Sequence, residues 1–255
     1  MNLKGKITLV TGASAGIGYS IAEVFAQAGS DLILTARRKS LIDELAANLM
    51  KEFGVRVITF ENDIRDYNSV DTLINSLPND WSSIDILVNN AGLARGLNTI
   101  QEGSIDDWEE MIDTNLKGLL YMSRSVLPGM VSRGKGMVIN IASIAGRQLY
   151  PKGNVYCATK SAVKSISEGM VIDLNGTGVR VCNIDPGMVE TEFSLVRFHG
   201  DEKRAESVYT QFKPLDGRDI GEIALFAATR PAHVAIQDIM VTPTDQATVS
   251  IINKK

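Results

Sequence analysis

Residues 6–29 constrain the fold more than any other stretch. A short β-branched run, residues 6–11 (KITLVT), leads into Gly12-Ala13-Ser14-Ala15-Gly16-Ile17-Gly18, three glycines in seven residues. A helical pattern follows with Ile21, Val24, Phe25 and Ala28 on one face, and Gly29 closes it as the residue after the cap. Apolar β-branched runs of this kind fill parallel strands covered on both faces. Strand, glycine turn and helix in direct succession is the arrangement that binds a dinucleotide: glycines let the backbone approach a diphosphate, and the helix N-terminus offers free N–H groups. The spacing is G-x-x-x-G-x-G rather than G-x-G-x-x-G, and a tight βα turn without a ligand has the same look.

The alternation continues to the end of the chain. Further strands are expected at residues 31–35, 55–60, 84–88, 136–142, 179–184 and 239–242. Helices are expected at residues 41–53, 67–77, 105–130, around Tyr156, and at 219–228. At 255 residues and 44% hydrophobic content, one α/β domain buries a full core without splitting. Net charge is 26 − 30 = −4, with no basic run before Lys254-Lys255, so nothing resembles a nucleic-acid footprint. Cys157 and Cys182 show no metal spacing and no paired framework, which suits a reducing cytoplasm. No secretory h-region and no ~20-residue apolar span occurs, so a soluble, untargeted protein is expected.

Several positions carry chemistry. The second strand ends in Ala36-Arg37-Arg38, with no acid between Leu32 and Ser40. A carboxylate there would bind a ribose 2′-hydroxyl, whereas arginines complement a 2′-phosphate; two solvated surface charges are the alternative. Asp63, at a strand end, either accepts from an adenine amino group or caps the next helix. Asn89-Asn90-Ala91-Gly92 closes the fourth strand as a turn of small residues and amides. Asn115 lies in the middle of a long helical pattern, where its amide competes for backbone bonds. Either a kink that frees a carbonyl for water or an inter-helix hydrogen bond would account for it. Ser143 falls at the carboxyl end of the fifth strand, the edge where ligands bind in open α/β sheets; a loop or N-cap role is equally open. Tyr156 and Lys160 are four apart, hence on one helical face, where an ammonium favours the phenolate and brings it toward the working range of a general acid/base. Residues 188–215, with Phe193, Phe198, Tyr209 and Phe212, read as a lid over the strand ends.

With TGASAGIG at residues 11–18, NNAG at 89–92, Asn115, Ser143, Tyr156/Lys160 and Pro186-Gly187 in order, the whole chain resembles the short-chain dehydrogenases/reductases. The resemblance implies one Rossmann-like, doubly wound domain with about seven parallel strands and helices on both faces. It also implies homotetramers and hydride transfer between an alcohol or carbonyl and NAD(P). By position it makes Tyr156 the acid/base and Lys160 the residue that lowers the tyrosine pKa and holds the nicotinamide ribose. Ser143 would orient the substrate oxygen and Asn115 would support a water in the proton relay. Gly12, Ser14, Gly16, Ile17 and Gly18 would meet the diphosphate, and Asp63 and Ile64 the adenine. Asn90, Ala91 and Gly92 would lie near the ribose; Pro186, Gly187, Val189 and Thr191 would border the nicotinamide amide.

More narrowly, Asp113-Thr114-Asn115, Gly153-Asn154-Val155-Tyr156, Val189-Glu190-Thr191-Glu192-Phe193 and Val196-Arg197-Phe198 look like the NADP-dependent 3-hydroxy acid dehydrogenases, a group that includes serine dehydrogenases. Arg37 and Arg38 agree with that cofactor. A 3-hydroxy acid needs a cation for its carboxylate; Arg95, Arg147 and Arg197 are available, and Arg147, Arg197 or both are the expected clamp. Within the family, a broad carbonyl reductase and a 3-oxoacyl-carrier-protein reductase compete with this reading. The latter fits poorly with a last strand, Met240-Val241-Thr242-Pro243, that lacks glycine. A non-catalytic NADP-binding sensor is the reading of another class; the presence of all four catalytic positions speaks against it.

Overall fold

A computed structural model describes residues 1–254, so Lys255 lies outside the described residues. Seven parallel strands form one sheet in the order β3-β2-β1-β4-β5-β6-β7. They are β1 (Ile7–Thr11), β2 (Asp31–Ala36), β3 (Val57–Glu61), β4 (Ile86–Asn89), β5 (Gly136–Ile141), β6 (Val179–Pro186) and β7 (Asp238–Val241). The chain winds outward from β1 to β3, then crosses back to start the other half at β4. A crevice therefore opens between β1 and β4 at the carboxyl edge, where doubly wound sheets bind ligands. The expected Rossmann-like single domain is the fold observed.

Strand alternation explains why both faces are covered. Val10, Leu34, Val88, Ile139 and Cys182 form one row across the sheet. They pack under α1 (Gly16–Gln27), α2 (Lys39–Phe53) and α9 (Gly217–Ala228) through Ile21, Phe25, Ile42, Leu45 and Ile220. The adjacent row, Leu9, Ile33, Leu87, Val138 and Val181, faces the opposite way. It meets α3 (Tyr67–Asn75), α5 (Leu119–Ser132) and α6 (Asn154–Asp173) through Val70, Leu73, Met122, Val126 and Val163. Each fully buried aliphatic side chain contributes roughly 1.5–3 kcal/mol. Among the described residues no helix is long and apolar enough to cross a membrane.

The single helix expected over residues 105–130 is α4 (Ile105–Ile112), a π-helical turn (Asp113–Gly118) and α5. The segment at 188–215 carries two short helices, α7 (Phe193–Arg197) and α8 (Glu202–Ser207), as a partly helical flap. Such short helices are marginal alone and depend on what they pack against.

Candidate active site

A cavity of about 560 Å³ opens at the carboxyl edge of the sheet, lined from Gly12 at one end of the chain to Val249 at the other. Its floor is backbone. Gly12 and Gly16 take the left-handed conformation, φ +66° and +57°. A Cβ on Gly12 would lie 2.8 Å from Ala91 Cα, so only glycine lets the β1 turn rest on Asn90-Ala91. The two turns are tied together: Asn90 Nδ2 donates to the Thr11 and Gly12 carbonyls (2.9 and 3.2 Å), and Thr11 Oγ1 accepts from the Asn90 and Ala91 N–H groups. Gly18 is not on the cavity wall as expected. A Cβ there would be 2.3 Å from Asn90 Nδ2, so its role is to let α1 close against this brace. The N-cap of α1, Ala15, offers no side-chain cap, and Ser14, Ala15, Gly16 and Ile17 face the cavity. An uncapped helix N-terminus over a cavity is a ready anion site.

Arg37 and Arg38 stand at the rim beyond β2, each side chain about half exposed. Arg38 donates to Ser14 Oγ (3.2 and 3.1 Å) and to Glu192 (3.0 Å), while Arg37 lies 3.6 Å from Glu110. Half-exposed ion pairs of this kind are weak, so both guanidinium groups are available to a phosphate. Asp63 and Ile64 line the neighbouring wall. Of the two roles open to Asp63, the cap belongs to Asp66, which accepts from Asn68 N. Asp63 instead grips Arg65, whose hydrogen bonds hold its carboxyl below the usual range.

Tyr156 and Lys160, on the buried face of α6, and Ser143, just past β5, all line the same cavity. Ser143 Oγ accepts from Ala145 N (3.1 Å) and faces the Tyr156 phenol. Lys160 Nζ donates to the Ile141 carbonyl (2.9 Å) and lies beside Gly92. Burial drives the lysine down to about 8 and pushes the tyrosine well above its ordinary value. The sequence reading expected Lys160 to lower the tyrosine pKa; instead, the cation that works against burial at Tyr156 is Arg197, 5.3 Å over its ring. The reason is geometric: the lysine stem runs to the strand end rather than to the phenol. Asn115 does not line the cavity. It sits in the π turn, donates to the Leu93 carbonyl and Thr159 Oγ1, and accepts from Leu93 N, all within 2.8–3.0 Å. Both readings of Asn115 thus contain part of the answer, since π turns widen a helix and cluster at functional sites. Thr159 in turn donates to the Tyr156 carbonyl, tying the asparagine to the catalytic turn of α6.

The three candidate clamp arginines separate. Arg197, on α7, lies between the Tyr150, Tyr156 and Phe193 rings, donates to the Tyr150 hydroxyl and to the Gly96 carbonyl, and lines the cavity. Arg95 is held by Glu110 (2.6 Å) and by the Val196 carbonyl (2.7 Å), so it braces the flap. Arg147 corrects the sequence reading: its guanidinium is committed to Asp185 and Asp238 and it does not line the cavity. Pro186, Gly187, Val189 and Thr191 do line it, and Thr191 lies over Gly16, where a Cβ would come within 3.2 Å. Sequence reasoning missed Tyr150, Gln246 and Val249. Gln246 Oε1 accepts from Met188 N (2.8 Å) and so folds the C-terminal segment over the cavity. No local pattern marks any of the three, because each reaches the site through tertiary packing alone.

Comparison with known proteins fits this geometry. The short chain dehydrogenase family model matches residues 6–201. The chain is 44% identical over 254 residues to an NADP-dependent 3-hydroxy acid dehydrogenase of Schizosaccharomyces pombe, covering 99% of this chain and 98% of the relative. It is 46% identical over 242 residues to the enzyme of that description, YdfG, in Escherichia coli K12, covering 94% and 96%. The closed form of a serine dehydrogenase complexed with NADP+ superposes with a TM-score of 0.91 at 45% identity, covering 98% of this chain and 99% of the other. A glycine cradle under an uncapped helix, with a buried serine, tyrosine and lysine facing it, therefore stands on a full-length likeness: the chain belongs to the short-chain dehydrogenase family.

Proposed function

We propose that the protein is an NADP-dependent oxidoreductase interconverting a small 3-hydroxy acid, of the serine, 3-hydroxyisobutyrate or 3-hydroxybutyrate type, and its 3-oxo form. The fit to the cofactor rests on the left-handed glycines, the unfilled N-terminus of α1 and the arginine pair. Gly12, Ser14, Gly16 and Ile17 would hold the diphosphate, Arg37 and Arg38 the 2′-phosphate, Asp63 and Ile64 the adenine end, and Lys160 the ribose. When bound, NADP+ supplies the hydride acceptor for the carbinol carbon. Tyr156 takes the hydroxyl proton, Ser143 hydrogen-bonds the same oxygen, and that hydrogen bond together with the charge of Arg197 favours the phenolate against the cost of burial. Asn115 holds the π turn and the loop at Leu93 in register with this pair. Leu93, Phe193, Val196 and Phe198 exclude water around the reacting atoms.

The observation that carries the substrate class is the position of Arg197. A guanidinium fixed beside the proton-transfer phenol suits a substrate whose carboxylate lies two carbons from its hydroxyl. A neutral alcohol would leave this cation with only neutral partners, the Tyr150 hydroxyl and the Gly96 carbonyl. The test is initial rates of NADP+ reduction, with NAD+ as control, on serine, 3-hydroxyisobutyrate, 3-hydroxybutyrate and neutral secondary alcohols. Activity confined to 3-hydroxy acids with NADP+ is expected. Arg197→Ala should raise KM for them by about 10–100-fold, the loss of one charged hydrogen-bonding partner, with KM for neutral alcohols unchanged. Turnover of neutral alcohols alone would end the carboxylate reading. A cytoplasmic homotetramer, as the resemblance implies, belongs to the same proposal, and light scattering at four chain masses checks the assembly.

A further inference from the structure

Asp185 is wholly buried at the end of β6, and the mechanism above makes no use of it. Its two oxygens point to different parts of the site. Oδ1 accepts from the Ser143 N–H at 3.3 Å, and Oδ2 accepts from Arg147 Nε at 2.5 Å. Arg147 also pairs with Asp238 on β7, and Asn183 Nδ2 donates to Asp238 at 2.9 Å. A buried carboxylate is costly unless such partners hold it, and breaking up a buried pair is costlier still.

Its place relative to Lys160 follows from sheet register. Lys160 Nζ donates to Ile141 O, Ile141 pairs with Ile184, and Asp185 is the next residue along β6. The groups around Lys160 are the Ile141 carbonyl from β5, Asn115 Oδ1 across Gly92, and Asp185 from β6, with Tyr156 one turn back on its own helix. Asp185 is the one whose charge opposes the effect of burial on the lysine. The single positive charge of Arg147 is shared between two carboxylates, leaving one net negative charge behind the ammonium.

We propose that Asp185, braced by Arg147 and Asp238, is a positioning residue that supplies the buried counter-charge of Lys160 and anchors the backbone of Ser143. This gives Arg147, removed from the substrate by its geometry, a task one layer behind the catalytic groups. The inference rests on Tyr156 and Lys160 acting as the proton-handling pair, but not on which alcohol is oxidised.

The experiment compares wild type, Asp185→Asn and Asp238→Asn by two pH profiles between 6 and 10: kcat with serine and NADP+, and the NADPH dissociation constant from nucleotide fluorescence. Asparagine keeps an acceptor for the Ser143 N–H while it removes the charge and the oxygen that accepts from Arg147. In Asp185→Asn the alkaline fall of both profiles should move about one unit lower, the shift expected on losing a close opposite charge. Asp238→Asn, at a partly exposed position, should move them the same way by less, because Arg147 then belongs to Asp185 alone. Profiles that drop by a constant factor at every pH, with the alkaline limb unmoved, would assign Asp185 a structural role and overturn the proposal. If Asp185→Asn does not fold, an unmoved limb in Asp238→Asn overturns it equally. The NADPH profile still reads Lys160 if serine proves a poor substrate, which separates failure here from failure of the substrate reading.

Discussion

The two ends of the cavity are built by different means. At the cofactor end the wall is main chain: left-handed glycines, an uncapped helix terminus and a turn laced to the β1 loop through Thr11 and Asn90. Its floor follows from the neighbouring strands β1 and β4, and a side chain at Gly12 would enter it only by collision. At the substrate end the wall is side chain. Arg197, Tyr150 and Phe193 meet there, carried partly on α7, which is held to the 93–98 segment by Arg95 and by the mutual bonds of Gly96 and Arg197. One end is fixed by backbone geometry and tolerates little change. The other is set by a few exchangeable side chains on short helices, so one cradle can serve many alcohols.

The largest effect that would test this division lies at the junction. Tyr156→Phe keeps the ring that lines the cavity and removes only the oxygen proposed to move the proton, so it should cut kcat by about 10²–10⁴-fold while KM and NADPH affinity stay near wild type. Stopped-flow rates and fluorescence titration check it, and substantial turnover would remove the phenol from the proton step. Next comes the rim of the cofactor end, where side chains do contribute. Arg37→Ala with Arg38→Ala should weaken NADP+ by about 10–100-fold and leave NAD+ little changed. Calorimetric titration that shows equal weakening would mean the pair does not read the 2′-phosphate. Smallest is Tyr150→Phe, which removes the hydroxyl that receives Arg197. A single neutral partner is worth about 0.5–1.5 kcal/mol, so KM for a 3-hydroxy acid should rise by at most about tenfold with kcat and cofactor affinity unchanged. A loss of NADP+ affinity in that variant would join the two ends and break the comparison.

The same division governs what was legible beforehand. The glycine turn, the strand runs and the Tyr156–Lys160 spacing are consequences of local backbone rules, and the observed elements follow them to within a few residues. The family resemblance places Gly18 among the cofactor contacts, yet position in a motif does not distinguish a glycine that faces a ligand from one that faces Asn90. Arg147 and Arg197 were indistinguishable as isolated arginines near motif residues. Only the approach of Asp185 and Asp238 to one, and of Tyr150 to the other, separates them. The effect of Lys160 on Tyr156 was inferred from an i,i+4 relation, which gives the helical face but not where a long flexible side chain ends.

By itself the sequence determined a parallel α/β sheet with a glycine turn at its carboxyl edge, and it put Tyr156 and Lys160, the proposed proton-handling pair, on one helical face, because period-2 and period-3.6 patterning and glycine conformations are local properties of the chain. Tertiary structure alone decided which arginine enters the substrate cavity, which lies behind it, and that the C-terminal Gln246 and Val249 close over it. Those outcomes depend on pairing partners tens to a hundred residues away, whose charges and hydrogen bonds meet only after the sheet has formed.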